Sequence, residues 1–138
     1  MPHGFTHLLL QEIPDFGGGI TVKLDPSCIF CKIIEKKIPS AVVYEDEHAI
    51  AFNDLNPQAP VHILIVPKTH IADIHSIVVA DRETIGHLFF VAKNIAVKSG
   101  LERSGYRMVI NNGRDAGQSV FHIHLHLLSG RPFQWPPG

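Results

Sequence analysis

The sequence predicts an α+β fold built on an antiparallel sheet. Two observations carry this expectation. Strand-like and helix-like segments segregate along the chain instead of alternating strictly, and one long amphipathic helix stands against several short apolar strands. Residues 1–25 stand apart from that pattern. Gly17-Gly18-Gly19 interrupts a stretch with no sustained period, bracketed by Pro14 and Pro26. They are expected to form an N-terminal extension, mobile or lightly docked, with the domain proper at 26–138.

Within the domain, Ser27 is expected to cap a short helix whose apolar face is Ile29, Phe30, Ile33 and Ile34, closed off by Pro39. Val42-Val43-Tyr44 and Ala49-Ile50-Ala51-Phe52 read as two strands around the acidic turn Glu45-Asp46-Glu47. A loop carrying Asn53, Asp54, Asn56, Pro57 and Pro60 leads to a buried strand, Val61 to Val66, stopped by Pro67. Asp81 is expected to cap the long helix, in which Ile85, Leu88, Phe89, Ala92, Ile95 and Ala96 recur at helical spacing; Gly100 ends it. Tyr106 to Ile110 alternates as a strand. A polar loop from Asn111 to Ser119 joins it to a last strand, Val120 to Leu128, and a proline-rich tail follows.

Composition narrows the function classes. At 138 residues the chain makes about one domain, and 45% apolar against 18% charged residues is enough for a core. Twelve Lys and Arg against 13 Asp and Glu leave no basic field to neutralise a polyphosphate backbone, so no nucleic-acid partner is expected. Apolar runs such as Ile63-Leu64-Ile65-Val66 fall far short of the ~20 residues a membrane span needs. The two cysteines, Cys28 and Cys31, are too few for a disulfide framework, and Met1 to Leu10 lacks the basic start of a signal peptide. A reduced, cytoplasmic setting is expected.

Ten histidines remain to be explained. In a strand, His122, His124 and His126 share one face, roughly 6–7 Å apart, while Ile123, Leu125 and Leu127 face the long helix. Three uses compete: polar filler on a half-exposed strand, a metal face, or phosphate chemistry. Neighbours on one straight strand cannot all reach one ion unaided. Imidazole can attack phosphorus, and a neighbouring ring can serve the leaving group. The preceding turn, Asp115-Ala116-Gly117-Gln118-Ser119, adds amides and a hydroxyl suited to a phosphoryl oxygen. His62, in a buried strand, and His70 read equally as core residues; His48 and His87 read as surface positions.

His122-Ile123-His124-Leu125-His126-Leu127-Leu128 resembles the defining motif of the histidine triad family of nucleotide hydrolases and transferases. The likeness runs from about Cys28 to Gly138. It includes Ile29 to Ile34, Phe52 to Pro60 and Gly117 to Phe121, and Trp135-Pro136-Pro137-Gly138 resembles the Hint branch. The resemblance implies a five-stranded antiparallel sheet with one long and one short helix, two such sheets joining in a homodimer. It implies a purine nucleoside phosphoramidase that forms a nucleotidyl-histidine and needs no cofactor for catalysis. His124 would be the nucleophile, and His126 would assist the leaving group with Ser119. His122 and His62 would be supporting rings, Asp54 would hold the ribose, and Ile29, Phe30, Ile33, Phe52 and Leu55 would form the purine slot. Asn111 and the amides of Gly117, Gln118 and Ser119 would cradle the phosphate.

Asn112 stands where many members of that branch carry an acid. The resemblance also offers a structural zinc held by Cys28, Cys31, His70 and His122, against a plain reduced pair packed in the helix. The alternatives to the phosphoramidase reading are a dinucleoside polyphosphate hydrolase and a nucleotide-binding regulatory protein with little turnover.

Overall fold

The computed structural model describes residues 22–138, so most of the predicted extension lies outside the described residues. The elements in chain order are α1 (Ile29–Ile34), β1 (Val42–Glu45), β2 (Ala49–Asn53), β3 (Val61–Pro67), α2 (Arg82–Lys98), β4 (Arg107–Val109) and β5 (Leu125–Ser129), with short 3-10 turns before and after α2. The strands form one antiparallel sheet in the order β1-β2-β3-β5-β4.

Strand alternation divides the sheet into two packed faces. Ala49, Ala51, Ile63, Ile65, Leu125 and Leu127 pack against Leu88, Val91, Ala92 and Ile95 of α2. Those helix positions are the predicted stripe with one change. Val91 is buried, whereas Phe89 is 42% exposed. Ile50, Phe52, Leu64 and Val66 face the other way, onto Phe30 and Ile33 of α1. Leu64 pairs with His126 across β3 and β5, which puts the His126 imidazole on the α1 side.

Four expectations are corrected. The N-cap of α1 is Cys28, whose sulfur accepts from the Cys31 amide, because Ser27 instead donates its amide and hydroxyl to Asp25. Asp81 precedes α2 as expected, but its carboxylate accepts from the Val78 amide and braces the preceding 3-10 turn. The last strand begins at Leu125, so His122 and His124 lie in the segment leading into it. His87 is buried, and its Nε2 donates at 2.8 Å to the Asp46 carboxylate from the β1–β2 turn.

Candidate active site and metal centre

Five histidines fall into two assemblies that meet on the segment leading into β5. His122 belongs to the first, and His124 and His126 to the second. What separates them is the partner each ring nitrogen meets.

In the first, His122 Nε2 lies 2.8 Å from the Pro67 carbonyl, an acceptor only, so the ring must carry its proton there. Its Nδ1 lone pair then points at Cys28 Sγ (3.4 Å), Cys31 Sγ (3.6 Å) and His70 Nδ1 (3.1 Å). His70 Nδ1 is itself 3.5 Å from Cys31 Sγ, and its Nε2 faces the Asp25 carboxylate at 3.9 Å. Four ligands held tetrahedrally at about 2.0–2.3 Å from one ion stand about 3.3–3.8 Å apart. The observed spacings fall near that range, and the converging atoms are two sulfurs and two lone pairs. The Pro67 carbonyl orients the His122 ring from behind, as outer partners of metal ligands do, and the Asp25 carboxylate stands on the same outer side of His70. Burial pushes the Cys31 thiol up to about 11, and burial pushes the His122 ring down to about 4. A bound cation would reverse the first of these. The residues fit a closed Cys2His2 ion site.

The second assembly is a line. The Gln58 amide donates to His62 Nδ1 at 3.0 Å, which leaves the His62 proton on Nε2. That nitrogen lies 2.9 Å from His126 Nδ1, with Asp54 Oδ2 at 3.4 Å. His126 Nδ1 therefore accepts, and the His126 proton sits on Nε2, a buried atom with no partner among the described residues. Beside it, with ring centroids 4.9 Å apart, His124 Nδ1 donates to the His122 carbonyl at 2.7 Å, so its Nε2 carries a free lone pair. One imidazole thus offers an electron pair and its neighbour an N–H. Burial holds His126 down at about 4, helped by His124 and His62, and burial also lowers His62 and His124. All three rings are neutral at neutral pH. Asp54, His62 and His126 lie close enough to suggest a second ion site, but the proton on His62 Nε2 occupies the position a metal would need.

The HIT domain family matches residues 35–133. The chain belongs to the HIT family. An uncharacterized HIT-like protein of Synechocystis is 51% identical over 110 residues, 80% of this chain and 96% of its own. A 14 kDa zinc-binding protein of Zea mays is 54% identical over 116 residues, covering 83% of this chain and 90% of its own. Among solved structures, a HIT family hydrolase from Legionella pneumophila superposes with a TM-score of 0.80 at 49% identity, over 81% of this chain and all of its own. A histidine triad nucleotide-binding protein from Candida albicans gives 0.69 at 35% identity, over 81% and 85%.

In this HIT domain the other predicted residues divide clearly. Phe30, Ile33 and Phe52 are buried together, and Phe30 meets both His122 and His124 edge-on, at 5.8 and 5.1 Å between centroids. Ile29 is half exposed and Leu55 is 98% exposed, so those two form no closed slot. Asp54 divides its two oxygens: Oδ1 accepts from the Asn56 amide while Oδ2 faces His62. The amides of Gly117 and Gln118 are spent inside their own loop on Arg114 and Gly113. The Gln118 side chain is buried, bonded to Gly113, Ala72 and Val120, so it shapes the loop. Ser119 is exposed, and its hydroxyl makes no bond to His126. Asn111 is half-buried, and Asn112 accepts from the His75 amide.

Asp25, Gln58 and the Pro67 carbonyl escaped the sequence reading as site residues. Asp25 was assigned to the extension, yet residues 23–25 are bonded to the domain: Lys23 pairs its backbone with Thr69 and His70, and Asp25 donates its amide to Cys31 Sγ. The other two act through backbone atoms, which every residue possesses.

Proposed function

We propose that this chain is a purine nucleoside phosphoramidase, hydrolysing the P–N bond of nucleoside 5′-phosphoramidates to a nucleoside monophosphate and an amine. One observation carries the reading: the His124 Nε2 lone pair lies beside the unpartnered His126 Nε2–H, with both tautomers imposed by fixed partners. Membership of the HIT family supports it, as do the hydrolase and nucleotide-binding names of the Legionella and Candida structures.

In the first half-reaction His124 Nε2 forms a bond to phosphorus as the P–N bond breaks. The electron pair leaves on nitrogen, which takes a proton from solvent and departs as the free amine. His126 Nε2–H hydrogen-bonds the departing group, and the His124 Nδ1–H bond to the His122 carbonyl stabilises the positive charge gained by the ring. Water then attacks phosphorus, the P–N bond to His124 breaks, its pair returns to Nε2, and the water's proton is released. Asp54 Oδ2 would accept from a ribose hydroxyl, and the Ser119 amide and hydroxyl, unbonded among the described residues, would serve a phosphoryl oxygen. Ile29, Leu55 and the Phe30 edge would sandwich the base on binding.

The same proposal assigns a structural zinc to Cys28, Cys31, His70 and His122, in keeping with the zinc-binding name of the maize relative. When bound, the ion would tie α1 to the segment before β5, and catalysis draws on no cofactor. A homodimer through the β4 edge is part of the reading. That strand ends the sheet with only half-buried residues, and Phe90 of α2 is half exposed. No helix among the described residues is long and apolar enough to cross a membrane, in line with a cytoplasmic enzyme.

The test is release of AMP from adenosine 5′-phosphoramidate, alongside diadenosine polyphosphates as competing substrates. Preferred turnover of the phosphoramidate supports the reading. Preferred cleavage of the polyphosphate would replace it with the hydrolase alternative, and nucleotide binding without turnover would leave a regulatory binding protein.

A further inference from the structure

We propose that Arg131, in the segment after β5, is a positioning residue for the imidazole line, acting through Gln58; this rests on the phosphoramidase reading. The Arg131 guanidinium donates twice to the Gln58 carbonyl, from Nε at 3.1 Å and from Nη2 at 3.0 Å. Gln58 is the residue whose amide donates to His62 Nδ1, and that bond fixes the protons of His62 and then His126. The path from an exposed arginine to the His126 Nε2–H is therefore four hydrogen-bonded groups long.

The Arg131 Nη1 also donates to the Pro132 carbonyl at 3.0 Å, and further contacts hold its segment in place. Its guanidinium lies over the Phe133 ring at 4.4 Å, with Arg107 of β4 on the same ring at 5.2 Å. Arg107 also donates to the Gln134 carbonyl at 3.0 Å, tying the tail to the sheet. One residue earlier, Gly130 adopts φ +98° and lies so near the loop that a Cβ there would sit 2.7 Å from Pro60 Cβ. The tail thus braces the loop between β2 and β3 at both Pro60 and Gln58. Among the described residues the Gln58 side chain bonds only the Asn56 carbonyl, two residues back in the same loop.

Without the brace, Gln58 moves, His62 Nδ1 loses its fixed donor, and the proton on His62 is free to occupy either nitrogen. When it sits on Nδ1, His62 Nε2 becomes an acceptor and draws the His126 proton to Nδ1, away from the substrate. The fraction of enzyme with a donor at His126 Nε2 falls. The groups assigned to the ribose and base are not replaced, and the His126 donor acts on the departing group, so the loss appears in kcat.

The experiment compares wild type with Arg131→Met, which keeps the stem on Phe133 but removes the donors, and with Arg131→Lys, which restores a cationic donor. Ring-nitrogen NMR of the zinc-loaded, full-length protein reports the His62 and His126 tautomers without requiring turnover. Wild type should show Nε2–H for both rings. Arg131→Met should show averaged signals for both, with kcat lowered about tenfold and KM within about twofold; Arg131→Lys should recover much of each. Wild-type ring signals in Arg131→Met overturn the proposal, as does an unchanged kcat. If wild type releases no AMP at all, the phosphoramidase reading fails, and the ring signals still decide whether Arg131 sets the tautomers.

Discussion

His122 and His126 stand four residues apart on one segment, carry the same side chain and are both pushed down to about 4 by burial, yet they serve opposite ends. Around His122, acceptors behind the rings push every free lone pair toward one point, with two sulfurs beside them. Around His126, donors and acceptors alternate along a line from the Gln58 amide, so each ring hands on the orientation it receives. A convergent set of lone pairs attracts a cation. An alternating line holds a proton at a chosen atom. What histidine does here is decided by the backbone group at its far nitrogen.

The strongest way to break the comparison is to remove the electron pair from the line. His124→Ala should lower turnover by about 10⁴-fold or more while nucleotide still binds, measured by calorimetry beside the rate. The convergent set should answer differently. Metal analysis should find one zinc per chain, and Cys31→Ser should lose it and lower the melting temperature by about 10 °C. Substoichiometric metal in unchelated wild type would return Cys28 and Cys31 to plain packing. Asp54→Asn should raise KM about tenfold with a smaller change in kcat, since one oxygen is held by the Asn56 amide and the other faces the site.

The smallest effect is on stability. His126 is held at about 4 in the folded chain against an ordinary 6.5, so the unfolded chain binds more protons between those values. Stability is therefore full above pH 6.5, falls as the pH drops toward 4, and changes no further through this group below that. Denaturant unfolding of His126→Gln should show a shallower loss across that window than wild type; equal slopes would mean the ring is not held neutral.

Much of this was legible in the sequence wherever periodicity carried it. Leu125 and Leu127 face α2 because a strand alternates, and Leu88, Ala92, Ile95 and Ala96 are buried because a helix repeats. The repeating pattern could not distinguish Val91 from Phe89, which flank the buried stripe on opposite sides, Val91 fully buried and Phe89 half exposed. Nor could it show that His87 is buried, since its partner Asp46 is forty-one residues away and only the fold brings them together. The Cys28-x-x-Cys31 pair and the alternating histidines marked where chemistry gathers. Their division into two assemblies depends on the Pro67, His122 and Gln58 backbone groups, which leave no mark in residue identity. The same reason hid the commitment of the Gly117 and Gln118 amides to their own turn.

The central claim is that His124 Nε2 attacks phosphorus, and intact-protein mass spectrometry after rapid quench with adenosine 5′-phosphoramidate tests it most directly. Wild type and His126→Ala should each gain the mass of one adenylyl group, mapped by peptide fragmentation to His124, with the adduct forming more slowly in the variant because His126 serves the departing group. Steady release of AMP with no adduct at any time, or an adduct on another residue, would contradict the account.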